Sequence, residues 1–167
     1  PHRVQNDVVV ECLHAETGQK FWEHKFATAY RDRLGYSSGP RSTPVIEGNR
    51  VHIYTAEGFL ICLELATGRK IWQRSLSREF QVPQDFFGAV GTPLLVGDRL
   101  VINIGKVGGP CVAAFHTLSG KLLWVSGKKW GPSYASPRLV KIHGKTRVLV
   151  FAGGESRPSP GGLMLID

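Results

Sequence analysis

The sequence predicts an all-β fold, a β-propeller whose blades are four-stranded antiparallel sheets, and three observations carry that prediction. An eleven-residue phrase occurs three times, as Cys12-Leu13-His14-Ala15-Glu16-Thr17-Gly18-Gln19-Lys20-Phe21-Trp22, as residues 62–72 and as residues 114–124. Its tryptophans, Trp22, Trp72 and Trp124, recur at intervals of 50 and 52 residues, a period typical of propeller blades. Between them lie short apolar runs broken by turn residues, in a chain of 167 residues with 20 glycines and one methionine.

From one tryptophan to the next the chain spells a four-strand unit. Residues 43–46 make a short first strand, with Pro44 at its start, where a missing N–H does least harm. Glu47-Gly48-Asn49 turns into residues 50–55, which alternate polar and apolar and form the second strand. Ala56-Glu57-Gly58 turns again into a third strand, residues 59–64. Gly68 then supplies the positive φ of a hairpin, and residues 70–73 form the fourth, outermost strand. The next unit repeats the plan with strands at 92–95, 100–104, 111–115 and 122–124. A further one begins at Ser136-Pro137, continues through 146–151 and reaches its third strand at 163–167. At the other end, residues 7–13 read as a third strand whose first two are missing.

The expected organisation is one propeller segment, with a partial blade at 1–28, blades at 41–78 and 90–128, and a partial blade at 135–167. A lone four-stranded unit cannot bury both of its faces, so neighbours must stack on it. The chain also lacks an initiator Met, and a fragment of a longer ring is the expectation. Two other closures are weighed. The N-terminal fourth strand would complete the last blade, or two chains would self-associate into one larger ring, and either would hide open sheet edges.

Composition excludes several classes. No run approaches the roughly 18–20 apolar residues needed to cross a bilayer, and Pro1-His2-Arg3-Val4-Gln5-Asn6 has no signal-peptide core. The formal charge is +8, from 21 Lys and Arg against 13 Asp and Glu. That balance favours acidic partners such as nucleic acid, anionic glycans or lipid headgroups, although the cations are scattered and give no specific nucleic-acid signal. The three cysteines, Cys12, Cys62 and Cys111, have neither zinc nor haem spacing, and no disulfide framework is expected. Cys12 and Cys62 share a repeat position with Ala114, which reads as a small buried filler. The histidines His14, His24, His52, His116 and His143 show no metal-ligand spacing, and no metal site is expected.

The eleven-residue phrase resembles the tryptophan-docking motif of the pyrroloquinoline quinone (PQQ)-like propeller family, and the resemblance spans essentially the whole chain. It implies docking and turn roles for Trp22, Trp72, Trp124, Gly18, Gly68 and Gly120. A large flat ring with an N–H donor suits the bridging of one sheet to the next. Some members of that family are calcium- and PQQ-dependent alcohol or sugar dehydrogenases. Others bind no quinone, including a lipoprotein of the outer-membrane assembly machine, and the resemblance is nearest to these and to unassigned bacterial members. It implies a periplasmic or extracellular location.

The segments between blades, 27–42, 77–91 and 127–135, are longer than the hairpins, and a site is expected on them. The candidate residues for a ligand or partner are Arg33, Tyr36, Arg41, Asp85, Phe86, Phe87, Asn103, Trp130 and Tyr134. Arg41 has the planar fork for an anion, and its competing reading is a salt-bridged loop arginine. The aromatics suit stacking on a sugar or base, or else plugging the ring's face, and Lys128 with Lys129 suits phosphate. A dehydrogenase would show adjacent cysteines and converging calcium oxygens; the chain has no Cys-Cys pair, and Asn103 and Asp85 sit in no calcium motif. Gly35-Tyr36-Ser37-Ser38-Gly39 matches the nucleophile-elbow pattern, but Pro40 and an inner strand follow it where a helix is needed. The expected function is a binding or scaffolding module for a protein, peptide or glycan, with no cofactor and no catalytic residue. The alternative is part of a dehydrogenase holding PQQ and calcium.

Overall fold

A computed structural model of the chain describes residues 1–167 apart from 33, 37, 83–87, 107 and 154–160. Four antiparallel sheets follow one another along the chain. The first holds β1 (His2–Val4), β2 (Asp7–Leu13) and β3 (Lys20–Ala27). The second holds β4 (Val45–Glu47), β5 (Arg50–Tyr54), β6 (Phe59–Glu64) and β7 (Lys70–Ser75), and is followed by a single-turn helix, α1 (Leu76–Phe80). The third holds β8 (Leu94–Val96), β9 (Arg99–Asn103), β10 (Val112–His116) and β11 (Leu122–Ser126). The last holds β12 (Arg138–Ile142), β13 (Lys145–Ala152) and β14 (Gly162–Ile166).

Each sheet is a plain meander in which every strand pairs with its chain neighbours. The same local irregularity recurs three times. The register shifts at Cys12/Leu13, at Cys62/Leu63 and at Ala114/Phe115, just before each Thr-Gly or Ser-Gly turn. Each turn then closes with the same two bonds: in the second sheet Gly68 N donates to Glu64 O and Glu64 N to Arg69 O. A bulge there adds twist and aims the following strand. Cross-strand partners Cys12–Trp22, Cys62–Trp72 and Ala114–Trp124 give each indole a small neighbour.

The sequence-derived plan needs correction in three places. Residues 7–13 have one strand before them, because β1 turns back at Gln5, held in the left-handed region at φ 54. A Gln-Asn turn is a weak sequence signal beside Asn-Gly or Asp-Gly. The link after β7 opens with α1, whose Leu76 is buried, where only loop was expected. The N-terminal outer strand does not complete the last blade: β3 pairs with β2, and β14 with β13.

The core lies in the seams between sheets. Val10, Val51, Ile53, Ile61 and Leu63 fill the first seam, with Trp22 and Phe26 packed against them. Tyr54, Leu60, Leu76, Leu100, Ile102 and Phe115 lead the second, and Val101, Val112, Ala114, Val148 and Val150 the third. Because strands alternate their side chains, each sheet offers one apolar set to the sheet before and another to the sheet after.

Candidate functional site

A meander alternates its connections between two ends, so the blades have two faces of different character. On the turn face the first and third connections of a blade meet: Leu65 N donates to Asn49 O, and Thr117 N to Asp98 O. The long links between blades gather on the opposite face with the middle turns. There Thr28 N donates to Asn6 O, Leu76 N to Gly58 O, Ala89 N to Ala56 O, and Gly153 N to Gly131 O.

On the turn face the repeated tryptophans meet the following blade. Trp22 Nε1 donates to Leu65 O at 2.7 Å, and a Cβ on Gly68 would lie 2.5 Å from the Trp22 ring. Trp72 Nε1 donates to Thr117 O at 3.1 Å, and a Cβ on Gly120 would lie 2.8 Å from the Trp72 ring. Each glycine thus serves twice, supplying positive φ (73° and 66°) and leaving room for an indole. Gly18 has the same φ, 71°, with no atom near its would-be Cβ. Trp124 donates to no acceptor among the described residues. It lines a cleft of about 400 Å³ with Arg99, Leu139, Arg147 and Ile166.

On the link face, the loop spanning residues 28–42 is held by its own polar groups. Arg41 Nη2 pairs with Asp32 Oδ2 at 2.9 Å, and the Asp32 side chain is only 1% exposed. Asp32 Oδ1 accepts from Leu34 N, and Ser38 Oγ accepts from Asp32 N. Arg3 Nη1 reaches across from β1 and donates to Tyr30 O and Ser38 O, while Arg31 Nη2 donates to Asn6 Oδ1. A buried carboxylate is tolerated because it is paired and hydrogen-bonded, and breaking such a pair leaves an uncompensated charge. Two apolar side chains of this segment are exposed, Leu34 at 50% and Tyr36 at 76%.

The other candidates divide. Asn103 ends β9 in a buried position, and its Nδ2 donates to Phe151 O at 2.9 Å and Ala135 O at 3.3 Å, tying the third sheet to the fourth. Its Oδ1 is buried with no hydrogen-bond partner. Asn103 and Tyr134 come together at a cavity of about 10 Å³ with Tyr54, Gly88 and Ser133. That is room for about one water. Trp130 is wedged in the third seam with its ring over Gly162, and Cys111 Sγ lies 3.2 Å from its carbonyl oxygen, so it is no open stacking platform. Arg33, Asp85, Phe86 and Phe87 lie outside the described residues. Arg41, offered as an anion fork, has its fork turned to Asp32.

The described residues around the cavity at Asn103 do not fit calcium and a quinone. It is far too small for a fused-ring cofactor, no carboxylate among the described residues lines it, and a calcium ion needs six or more converging oxygens. Among the described residues there is no cluster of three His, Cys, Asp or Glu side chains able to hold a metal. No helix among them is long and apolar enough to cross a membrane.

Sequence reasoning passed over His52. It is fully buried between the second and third sheets, 5.8 Å from the Trp72 ring, and neither ring nitrogen has a hydrogen-bond partner among the described residues. Burial, with Arg50 beside it, pushes its pKa down to about 4. Its counterpart Val101 in the third sheet pairs with Ala114 as His52 pairs with Cys62, and that mismatch within the repeat was the available signal.

A family model described as outer membrane protein assembly factor BamB matches residues 6–157. No curated protein sequence matches the chain. Among solved structures, BamB from Moraxella catarrhalis superposes with a TM-score of 0.59 at 20% identity, over 89% of this chain and 41% of that one. The quinohemoprotein alcohol dehydrogenase ADHIIG from Pseudomonas putida HK5 gives 0.54 at 17% identity, over 86% and 28%. The quinohemoprotein alcohol dehydrogenase from Comamonas testosteroni gives 0.51 at 20%, over 70% and 18%. At these identities the likeness is one of fold, and the chain spans less than half the length of any of the three.

Proposed function

The chain belongs to the PQQ-like propeller family of the outer membrane protein assembly factor BamB, and on that premise we propose that it is a protein-binding scaffold working outside the cytoplasm. The observation that carries this reading is the loop 28–42. Its described residues Tyr30, Asp32, Ser38 and Arg41 are anchored by the Asp32–Arg41 pair and by Arg3, while Leu34 is half-exposed and Tyr36 largely exposed. Ordering interface side chains and loops costs free energy on binding, so a loop ordered in advance keeps more of the contact energy. Tyrosine is among the residues that dominate interface energetics. The partner is a protein surface with an apolar recess for Tyr36, and the mechanism is rigid presentation without chemistry on the partner.

A photocrosslinking residue at position 36, in the chain expressed in its native host, tests this. The expected result is one discrete protein adduct, abolished in an Arg41→Ala background that releases the loop and retained when the probe's neighbour Leu34 is changed to Met. The absence of any protein adduct overturns the scaffold reading. So does dye-linked alcohol oxidation that appears on adding PQQ and calcium to the purified chain and disappears on removing the quinone.

A further inference from the structure

The turn face carries lysines that none of its described carboxylates pairs with. On the link face Arg3, Arg31 and Arg41 are turned onto protein acceptors. On the turn face Arg50, Arg69, Arg99 and Arg147 pair with Glu47, Glu64, Asp98 and Asp167, whereas Lys70, Lys121, Lys141 and Lys145 make no ion pair among the described residues, Lys70 donating to Gln73 Oε1. The two clasped seams place the third connections of successive blades side by side, so Lys70 and Lys121 occupy equivalent points along one rim. The cleft at Trp124 brings the β12–β13 turn of the fourth sheet, with Lys141 and Lys145, to that same side. The first sheet is different: Glu11 and Glu23 neutralise Lys20, and Lys20 with Lys25 holds the Glu23 carboxyl down at about 2.

Apolar side chains stand among these lysines at the same repeat position. Ile71 follows Lys70 and precedes Trp72; Leu123 precedes Trp124 in the same way. Each points away from the side its tryptophan takes, and each is 40% exposed although a sheet flanks it on both sides. Val125 continues the row at 49%. A soluble propeller has no need of large apolar residues on its outermost strands, and polar ones at these places would cost the fold little. Interleaved lysines and apolar side chains along one rim are the chemistry that binds an anionic bilayer surface, where cations meet headgroup phosphate and apolar groups enter the acyl boundary.

We propose that the rim formed by Lys70, Ile71, Lys121 and Leu123, extended by Lys141 and Lys145, docks the turn face onto an anionic lipid surface. The link face with Tyr36 is then held away from the bilayer, free for a second partner. The proposal does not depend on the scaffold reading, since it uses the opposite face and a different ligand.

Vesicle co-flotation of the full chain tests it, with phosphatidylglycerol–phosphatidylcholine vesicles against phosphatidylcholine alone. Binding is expected only to the anionic vesicles. Lys70→Ala and Lys121→Ala should each lower partitioning by about fivefold, which is the fold-change corresponding to ~1 kcal/mol per cation near a charged surface. Ile71→Ser with Leu123→Ser should lower it further, with circular dichroism unchanged. Lys128→Ala with Lys129→Ala removes the same charge from the link face and should leave binding unchanged. Equal loss in that control pair, equal binding to neutral vesicles, or no flotation at all overturns the proposal. Single-stranded RNA binding through the same four rim residues, without flotation, would assign the rim to a different partner and also overturn it.

Discussion

The second and third seams are built from the same repeat, and the glycine turn that closes the second has no counterpart within this sequence at the third. Between the second and third sheets, Trp72 lies over Gly120 and bonds to Thr117 O, above a core that runs from Tyr54 to Phe115. Between the third and fourth sheets the same tryptophan position, Trp124, lines an open cleft and has no acceptor among the described residues. Both seams bury β-branched and aromatic side chains, so apolar packing alone does not distinguish them. What differs is whether a glycine turn stands under the indole: Asp167, the last residue of this sequence, holds the repeat position of Glu64 and His116, so the position equivalent to Gly68 and Gly120 falls beyond it. Comparing the two places in this chain therefore measures what a glycine turn adds to a seam that strand packing already makes.

The largest test of that comparison is Trp72→Ala against Trp124→Ala. Removing a buried aromatic typically costs ~3–5 kcal/mol, and Trp72→Ala is expected in that range by urea denaturation. Trp124→Ala, which empties a site already open to solvent, should cost only about 1–2 kcal/mol. Equal losses would mean that the turn under the indole adds nothing.

Glycine substitution sharpens the same point. Gly18→Ala meets no neighbour and should cost about 1 kcal/mol for its left-handed φ alone. Gly120→Ala adds a methyl 2.8 Å from the Trp72 ring, and overpacking should bring its cost to about 2–4 kcal/mol. The two alanines, read by the shift in urea midpoint, separate backbone strain from loss of the clasp.

The smallest expected effect comes from His52, which lies against Trp72 in the clasped seam. Its folded pKa of about 4 lies below the ordinary 6.5, so the fold favours the neutral ring. Stability is whole above pH 6.5 and falls as pH drops toward 4, because the unfolded chain takes up a proton that the folded one refuses. With some relaxation and water entry around the ring, the loss should be about 2 kcal/mol across that window. His52→Val, which copies Val101 of the third sheet, should flatten this limb of the stability curve. An unchanged slope would place the acid sensitivity elsewhere.

Much of the candidate site was legible only in part. Tyr36 and Arg41 stood out as loop residues between blades, and the loop is where the exposed aromatic sits. That Arg41 turns inward to Asp32 was weighed as its bland reading, and the burial of Asp32 decides it. Asn103 and Trp130 are candidates from the sequence, yet the Asn103 Nδ2 donors and the Trp130 ring are spent on the third seam. Spacing says of His52 only that it sits in no metal-ligand pattern, and alternation along β5 marks which residues share a side without saying which side is sealed.

The sequence by itself determined the repeat, the antiparallel blades and the turns between their strands, because these depend on residues a few positions apart. Alternation sets a strand, a left-handed glycine sets a hairpin, and a small residue opposite tryptophan sets the bulge. Only the tertiary structure decided what joins blade to blade and which loop groups remain for a partner. Trp72 finds its acceptor 45 residues away, and Asn103 finds one 48 away. At such separations no local pattern says whether a polar group will be satisfied from within, and it is that satisfaction which leaves Tyr36 and the rim lysines as the surfaces open to others.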